Sequence, residues 1–135
     1  MKAVDSSVIV AAFATWHEHH ELARAAVERG VRVIDHCAVE SYSVLTRLPP
    51  PHRAPPNVVQ EFLRLQFPEL YLRLSARAHR RFVLGLADRD IIVGGAVYDA
   101  LVAATAAEHQ AILLSCDRRA LLTYERCGAR YQFIC

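Results

Sequence analysis

The sequence predicts an α/β protein in which helices cover both faces of a mostly parallel central sheet. Short, continuously apolar runs alternate along the chain with longer segments whose apolar residues recur at helical spacing. Continuous apolar strands are typical of parallel sheets, because both faces of such a sheet are buried. The chain has 135 residues, the length of one ordinary domain, so we expect a single domain over residues 1–135.

Each element follows from an apolar pattern and from the residue that begins or ends it. Ser7 is a favourable first residue for a helix, Gly30 ends the next helix, and Pro49 stops the third. The prolines of residues 49–56 predict a loop between helices rather than a domain linker. The predicted strands are residues 1–4, 31–34, 111–115 and 131–134. The predicted helices are residues 7–15, 17–29, 37–48, 57–66, 75–87, 94–109 and 118–127.

The segment around Trp16 has two possible interpretations. Trp16 can stack on an unpaired RNA base or lie in the core, and burial is the more ordinary role for a tryptophan. The neighbouring histidines do not all face one side of a helix, so a zinc site is not expected there. In the helix that follows, the residues predicted to point inward are Leu22, Ala23, Ala26 and Val27.

Composition excludes several classes of protein. Hydrophobic residues make up 53% of the chain, which excludes a disordered or acidic-tail class. No apolar run reaches the ~20 residues that a membrane-spanning helix needs. Asp5 interrupts the first apolar run where a secretion signal would continue, so we expect a cytoplasmic protein with no membrane partner.

The cysteines and the basic residues carry weaker signals. No two cysteines form a CxxC pair, and without a secretion signal we expect reduced, largely buried thiols. The net charge is only +2, but all basic residues except Lys2 are arginine, whose planar fork suits phosphate. A GC-rich genome gives the same bias, so both explanations stay open. The cysteines are Cys37, Cys116, Cys127 and Cys135.

Asp99 is the most informative single residue. It lies in a predicted helix that is apolar almost all round, and no lysine or arginine lies within one turn of it. A carboxylate on an apolar face costs several kcal/mol unless it is paired or binds a metal. The alternative is an acid that only complements the positive end of the helix dipole. On its side of the helix are Ala96, Val102, Ala103 and Ala106.

Three further acids occupy similar positions. Glu40 borders the inward face of its helix, and its alternative role is a solvated acid near a helix start. Asp5 ends the first predicted strand and Asp117 follows the strand over residues 111–115, so each can be a simple cap. In parallel sheets, ligands bind at the carboxyl ends of the strands, where two of these acids fall. We therefore expect Asp5, Glu40, Asp99 and Asp117 to form one site.

Acids that converge in this way predict a metal. Two carboxylates about 5 Å apart repel by roughly 3 kcal/mol at an effective dielectric constant of about 20. Several such pairs force protonation or require a cation, and ligands that are all oxygen select Mg²⁺ or Mn²⁺. Such an ion can hold a phosphodiester and activate a water, which is the chemistry of a hydrolytic nuclease.

The same residues carry a resemblance to a known family. In this order along the chain, four short motifs resemble the PIN domain, and most closely the VapC-type toxins of bacterial toxin–antitoxin pairs. The similarity extends from Met1 to the last predicted strand. The motifs are VDSS at residues 4–7, Glu40 with SVLTRL at residues 43–48, GAVYDALVA at residues 95–103, and LSCDRRA at residues 114–120.

The resemblance implies a PIN-like three-layer sandwich and a Mg²⁺-dependent endoribonuclease that cleaves structured RNA such as tRNA or rRNA. By match, Asp5 and Asp99 would bind the metal directly, and Glu40 and Asp117 would complete the pocket. Ser6 would contact the metal or the substrate. A cognate antitoxin would inhibit the enzyme, and a homodimer or toxin–antitoxin hetero-oligomer would be the usual assembly. The loop at residues 49–56 matches no motif of the family.

Two other classes remain as alternatives. A receiver-like regulatory module would also place acids at a strand end, but it normally has a lysine near the end of a late strand, and the only lysine here is Lys2. A PIN-fold interaction module without catalysis would keep the fold, yet all four acids are present. Among surface arginines, Arg118 and Arg119 are the candidates for contact with RNA phosphate, together with Arg77, Arg80 and Arg81 on a basic helix.

Overall fold

The computed structural model describes residues 1–89 and 91–135, and within them one parallel sheet forms the centre of the molecule. The strands are β1 (Lys2–Val4), β2 (Arg32–Val33), β3 (Ile112–Ser115) and β4 (Tyr131–Phe133). They lie in the order β2–β1–β3–β4, and every neighbouring pair is parallel. The predicted α/β class with a parallel sheet is confirmed, and all four predicted strands are present.

Helices connect the strands and flank the sheet. In the described residues they are α1 (Ser6–Phe13), α2 (His20–Glu28), α3 (Asp35–Arg47), α4 (Pro56–Gln66), α5 (Ala76–Gly85), α6 (Ala96–Glu108) and α7 (Leu121–Arg126). Each predicted helix is present, and its ends differ from the predicted ones by at most three residues. The proline-rich segment lies between α3 and α4, so it is a loop between helices as predicted.

The core is built on β1, β3 and the two helices that carry the most alanine and valine. Val4 and Leu113 are fully buried in the sheet, and Val8 and Ile9 of α1 are fully buried against it. In α6, Ala103 is also fully buried. Burying one aliphatic side chain of this size contributes about 1.5–3 kcal/mol, so this apolar centre fixes where both strands end.

The register of the central strands places two acids side by side. Val4 of β1 is paired with Leu114 of β3, and the Asp5 N–H donates to the Leu114 carbonyl at 3.2 Å. Because both strands end at the same edge of the sheet, Asp5 and the turn that holds Asp117 become neighbours. This edge is where the candidate site lies.

The opposite side of β2 is covered by a single residue of the segment after α4. Leu72 forms an isolated parallel bridge with Ile34. Its N–H donates to the Val33 carbonyl at 2.8 Å, and its own carbonyl accepts from the Asp35 N–H at 2.9 Å. The edge of β2 is therefore occupied.

The predictions for the Trp16 segment and for part of α2 were wrong. Trp16 is 49% exposed and stacks on His52 with 4.1 Å between ring centroids, so it is not a core anchor. Residues 15–19 form turns, and α2 begins only at His20, which is buried and bonds through Nδ1 to the Ala11 carbonyl at 2.9 Å. Leu22 is 53% exposed, while Ala23, Ala26 and Val27 are buried as predicted.

The expectation that all cysteines are reduced was also wrong. Cys116 and Cys135 form a disulfide with 5.2 Å between their Cα atoms. The two residues follow β3 and β4, which pair in parallel, so the strands bring together cysteines that lie 19 residues apart. Cys37 is free and buried, and Cys127 is free and partly buried, as expected.

In the part of the chain that the structure describes, no helix is long and apolar enough to cross a membrane.

Candidate active site

Asp5 stands at the junction of β1 and α1 and is buried, with 3% of its surface exposed. Its Oδ1 accepts from the Ser7 N–H at 3.0 Å and the Val8 N–H at 3.3 Å, and from the Ser7 hydroxyl. Asp5 is therefore the N-cap of α1, which was the simpler alternative from the sequence. Capping uses one carboxylate oxygen and leaves the other for further contacts.

The second oxygen of Asp5 is bound by a residue from the far end of the chain. The hydroxyl of Tyr124, on α7, donates to Asp5 Oδ2 at 2.8 Å. Burial raises the pKa of Asp5, and the hydroxyl groups of Ser7 and Tyr124 partly offset this by stabilising the carboxylate. Burial and the neighbouring Asp5 charge also raise the pKa of Tyr124, so its hydroxyl stays protonated and acts as a donor.

Ser7 connects the ends of the two central strands. Its Oγ accepts from the Cys116 N–H at 2.8 Å while its proton goes to Asp5 Oδ1. The turn after β3 is thereby held against the start of α1. A single hydroxyl thus fixes the position of Asp5 relative to the segment that carries Asp117.

Glu40 lies on α3 and is held by two side chains. Its Oε1 accepts from the Ser6 hydroxyl, and its Oε2 lies 3.2 Å from Nε2 of His36. Cys37 and Ser41 on the same helix are buried, whereas the Glu40 side chain is 41% exposed. Glu40 therefore borders the inward face of its helix, as predicted, and points to the edge of the sheet where Ser6 begins α1.

Asp99 lies in the first turn of α6 and is partly buried. Burial, and then the charges of Asp117, Glu40 and Asp5, raise the pKa of Asp99 to about 6, while His36 acts in the opposite direction. Each of the three other acids thus lies near enough to Asp99 to repel its charge. The structure brings the four predicted acids into one electrostatically coupled group.

Asp117 occupies the turn after β3. Its Oδ1 accepts from the Arg119 N–H at 3.0 Å and lies 3.7 Å from Arg119 Nε. The N–H of Asp117 donates to the Ser115 hydroxyl at 3.0 Å. It caps this turn rather than α7, and the adjacent Arg118 guanidinium lies 4.2 Å from the Phe133 ring centroid.

The coupled acids are not arranged as a finished metal site. Within residues 1–89 and 91–135, no group of three or more His, Cys, Asp or Glu side chains has an arrangement that could hold a metal ion. The oxygens of Asp5, Glu40 and Asp117 are instead engaged by hydroxyl, imidazole and N–H donors. The four carboxylates repel one another, and these hydrogen-bond donors offset only part of that repulsion.

A sequence model of the PIN domain matches residues 2–125, which is nearly the whole chain. The chain belongs to the PIN-domain family. The resemblance stated from the four motifs is therefore confirmed, and the acids lie at the carboxyl edge of the PIN sheet.

Named relatives place this PIN domain among VapC-type toxins. The chain is 51% identical to Ribonuclease VapC40 of Mycobacterium tuberculosis over 134 residues, which cover 99% of each protein. It is 42% identical to Ribonuclease VapC27 of the same species over 127 residues, covering 93% of this chain and 91% of the relative. The prediction of a VapC-type PIN protein is confirmed.

A solved structure agrees with the fold of this PIN domain. The crystal structure of FitAcB from Neisseria gonorrhoeae matches with a TM-score of 0.68 over 98% of this chain and 97% of that chain. The sequence identity is 16%, so this similarity concerns the fold alone. The PIN-like sandwich predicted from the sequence is thereby confirmed.

Three residues of the PIN site escaped the sequence analysis. Tyr124 was not singled out as a site residue, because no local pattern indicates that it reaches a residue at the other end of the chain. Ser7 was taken only as the start of a helix. His36 was not singled out, although it precedes Glu40 by four residues, and residues at that spacing face each other on a helix.

Proposed function

We propose that this chain is a metal-dependent endoribonuclease that hydrolyses phosphodiester bonds in RNA, with Asp5, Glu40, Asp99 and Asp117 as its carboxylate centre. The observation that carries the proposal is the convergence of the four acids at one edge of the sheet. Asp5 and Asp117 follow the paired strands β1 and β3, and Glu40 is bonded to Ser6 beside Asp5. Burial and the charges of these acids together raise the pKa of Asp99 to about 6.

Among the described residues, Arg119 is the one arginine paired with any of these acids, 3.7 Å from Asp117, so most of the negative charge is left for a bound cation. Two relatives that bear the name ribonuclease support the same reaction.

The donor set fits a hard divalent cation in type. Carboxylate oxygens are the ligands that Mg²⁺ and Mn²⁺ prefer, and no thiolate competes, because burial keeps the pKa of the Cys37 thiol well above its usual range. We propose Asp5 and Asp99 as direct ligands, with Glu40 and Asp117 completing the pocket. Side chains would have to rotate for all four to bind at once.

Hydrogen bonding suggests which oxygen of Asp5 is available. Oδ1 accepts three donors, from the Ser7 N–H, the Ser7 hydroxyl and the Val8 N–H. Oδ2 accepts from the Tyr124 hydroxyl, so among the described residues it is engaged by fewer donors than Oδ1 and can offer a lone pair. Asp5 would therefore bind through Oδ2 with Tyr124 fixing its direction.

The residues of the site would have different roles in hydrolysis. A bound Mg²⁺ or Mn²⁺ would supply charge neutralisation for the phosphodiester and lower the pKa of a water. Glu40, held by Ser6 and His36, is placed to orient that water and accept its proton. Asp117 lies in a turn braced by Ser115 and by its own bond to the Arg119 N–H, so its position is fixed before substrate arrives.

Arg118 and Arg119 stay candidates for binding the RNA backbone, as does Ser6. The Arg119 side chain is 96% exposed beside Asp117, and it can turn from that acid toward a phosphate. Arg118 is restrained by its contact with Phe133. The Ser6 hydroxyl donates to Glu40, so Ser6 would contribute to RNA binding by positioning Glu40 rather than by contacting the RNA directly.

The proposal extends to regulation and assembly. As a VapC-type protein, the chain is proposed to bind a cognate antitoxin that inhibits it and to form a homodimer or toxin–antitoxin hetero-oligomer. Structured RNA such as tRNA or rRNA is the proposed substrate. Co-expression with the product of a neighbouring small reading frame should relieve toxicity and give a larger complex by size-exclusion chromatography. Unchanged toxicity and mass would contradict this part of the proposal.

The decisive test compares RNA ends after expression of the wild type, Asp5→Asn, Asp99→Asn and the matched control Glu108→Gln. Glu108 is exposed at the end of the same helix as Asp99, so its change should leave cleavage intact. We expect new RNA ends with the wild type and the control and none with the two site variants. Circular dichroism would show that all variants fold. Cleavage by both Asp variants at the wild-type rate, or in the presence of a chelator, would overturn the proposal.

A further inference from the structure

A stacked pair of aromatic rings lies beside the cluster of four acids. The rings of His36 on α3 and Tyr98 on α6 are nearly parallel, with 7° between their planes and 5.2 Å between their centroids. Tyr98 is 56% exposed although it directly precedes Asp99. An exposed tyrosine that is held flat by a second ring offers a rigid aromatic surface to solvent.

The pair is coupled to the acids by direct contacts. Nε2 of His36 lies 3.2 Å from Oε2 of Glu40, and the other oxygen of Glu40 accepts from Ser6. Tyr98 is fixed by the first turn of α6, which also positions Asp99. The aromatic surface therefore keeps a constant distance and orientation relative to the carboxylates.

A cleft continues from the pair between α3, α5 and α6. It has a volume of about 260 Å³. Val39, Leu74 and Leu101 give it apolar walls. Its polar side chains are Asp35, His36, His79 and Thr105, of which Thr105 already donates to the Leu101 carbonyl. An acid in the wall disfavours phosphate, whereas carboxylate and imidazole groups can pair with the edge of a base.

The wall formed by α5 is basic on its outer side. Arg77, Arg80 and Arg81 are exposed, and α5 contains no acid. None of the three forms an ion pair with another residue among those that the structure describes. A polyanion that leaves the cleft across α5 would meet uncompensated positive charge.

We propose that the His36–Tyr98 pair stacks an unpaired nucleobase of the RNA substrate, adjacent to the phosphodiester that the carboxylates hold, and that the neighbouring cleft selects that base. This inference rests on the proposed ribonuclease function and adds a subsite to it. Unpaired bases stack on aromatic side chains irrespective of their identity, at about 1–3 kcal/mol per base. Removing the Tyr98 ring should therefore lower kcat/KM by about 5-fold or more.

The first experiment uses Mg²⁺ and a pool of randomised single-stranded RNA mixed with total tRNA and rRNA. Wild type, Tyr98→Phe, Tyr98→Ala and the control Tyr71→Ala, another exposed tyrosine, are compared. Sequencing of the cut ends should show a base preference at one position beside the cut. The preference should persist in Tyr98→Phe and Tyr71→Ala. It should disappear in Tyr98→Ala, because a base that is not held against the ring is no longer presented to the cleft that selects it. Tyr98→Leu provides a second variant if Tyr98→Ala fails to fold by circular dichroism.

The second experiment removes the base instead of the ring. An oligonucleotide with an abasic residue at the preferred position should be cleaved more slowly than its parent by the wild type, by about 5-fold or more. Tyr98→Ala should cleave both oligonucleotides at the same rate, because the stacking partner is already missing. An equal abasic penalty in both proteins, or wild-type kcat/KM and base preference in Tyr98→Ala, would overturn the inference while the ribonuclease function stands. Failure of the wild type to cut any RNA in the pool would instead refute the ribonuclease function and this subsite with it.

Discussion

The hydroxyl of Tyr124 donates to Asp5 Oδ2 at 2.8 Å, across 119 positions of the sequence. Both groups are buried, so this bond is not exchanged for one to water. It joins α7 to the junction of β1 and α1. The first acid of the site is therefore oriented by the last helix of the fold.

Tyr124→Phe should reduce both stability and activity. The change leaves Asp5 Oδ2 buried without its donor, which we expect to cost about 1–3 kcal/mol of unfolding free energy. Loss of the bond should also raise the pKa of Asp5 further and lower kcat for RNA cleavage. Urea unfolding and cleavage assays measure the two effects. Tyr131→Phe is the control, since the Tyr131 hydroxyl bonds to no residue in the described ranges, and an equal loss in both variants would contradict the role given to Tyr124.

Asp99→Asn should stabilise the metal-free protein in a pH-dependent manner. The pKa of Asp99 in the folded protein, about 6, lies above the ordinary value of 3.8 for an aspartate, so folding favours the protonated form. That contribution is complete below the unfolded pKa and is lost as pH rises through about 6. We therefore expect Asp99→Asn to raise Tm in EDTA near pH ~7.5 and to have less effect near pH ~4.5.

Glu108→Gln, on the exposed part of the same helix, should show no such difference between the two pH values. A Tm for Asp99→Asn that is lower than wild type under both conditions would show that the carboxylate is not repelled by its neighbours.

Mg²⁺ should raise the Tm of the wild-type protein in a saturable way, because a ligand that binds only the folded state stabilises it. The apparent affinity should fall below pH ~6, where a proton competes for Asp99. Asp5→Asn and Asp99→Asn should lose the shift, and Glu108→Gln should keep it. Differential scanning fluorimetry with K⁺ at matched ionic strength separates binding from a salt effect. An identical Tm increase in all four proteins would exclude the acids as the binding site.

The disulfide between Cys116 and Cys135 should contribute measurably to stability. It closes a loop of 19 residues, for which chain entropy gives about 3 kcal/mol. Oxidised protein should show two free thiols, Cys37 and Cys127, after unfolding, and reduced protein should show four. Reduction or Cys135→Ser should lower Tm, whereas Cys127→Ser should not remove the effect of a reductant. Four thiols in air-oxidised protein would contradict the bond.

Much of the fold was predictable because its signals are local. Continuous apolar runs identified β1 and β3, and Gly30 and the prolines after α3 marked where helices stop. The mistakes concern tertiary contacts. Trp16 is a large aromatic residue of a type that is usually well buried, but the turns before α2 direct its side chain outward. Neither apolar periodicity nor residue type predicts such a change in the direction of the chain.

The candidate site was predictable only in its acids. Asp99 stood out because a charge on an apolar helix face needs an explanation, and its raised pKa agrees with that reasoning. The partner that orients Asp5 was hidden, since Tyr124 reaches it only through the packing of α7 against the junction of β1 and α1. Only His36 could have been found locally, from its spacing to Glu40.

The bridge between Ile34 and Leu72 has a consequence for how this protein can associate. Within residues 1–89 and 91–135, Leu72 covers the β2 edge of the sheet, and β4 is the edge strand left open to a foreign strand. That strand is just three residues long, which is one of the ways proteins discourage edge-to-edge aggregation. Recognition by other chains is thereby directed to the helical surfaces rather than to β-augmentation.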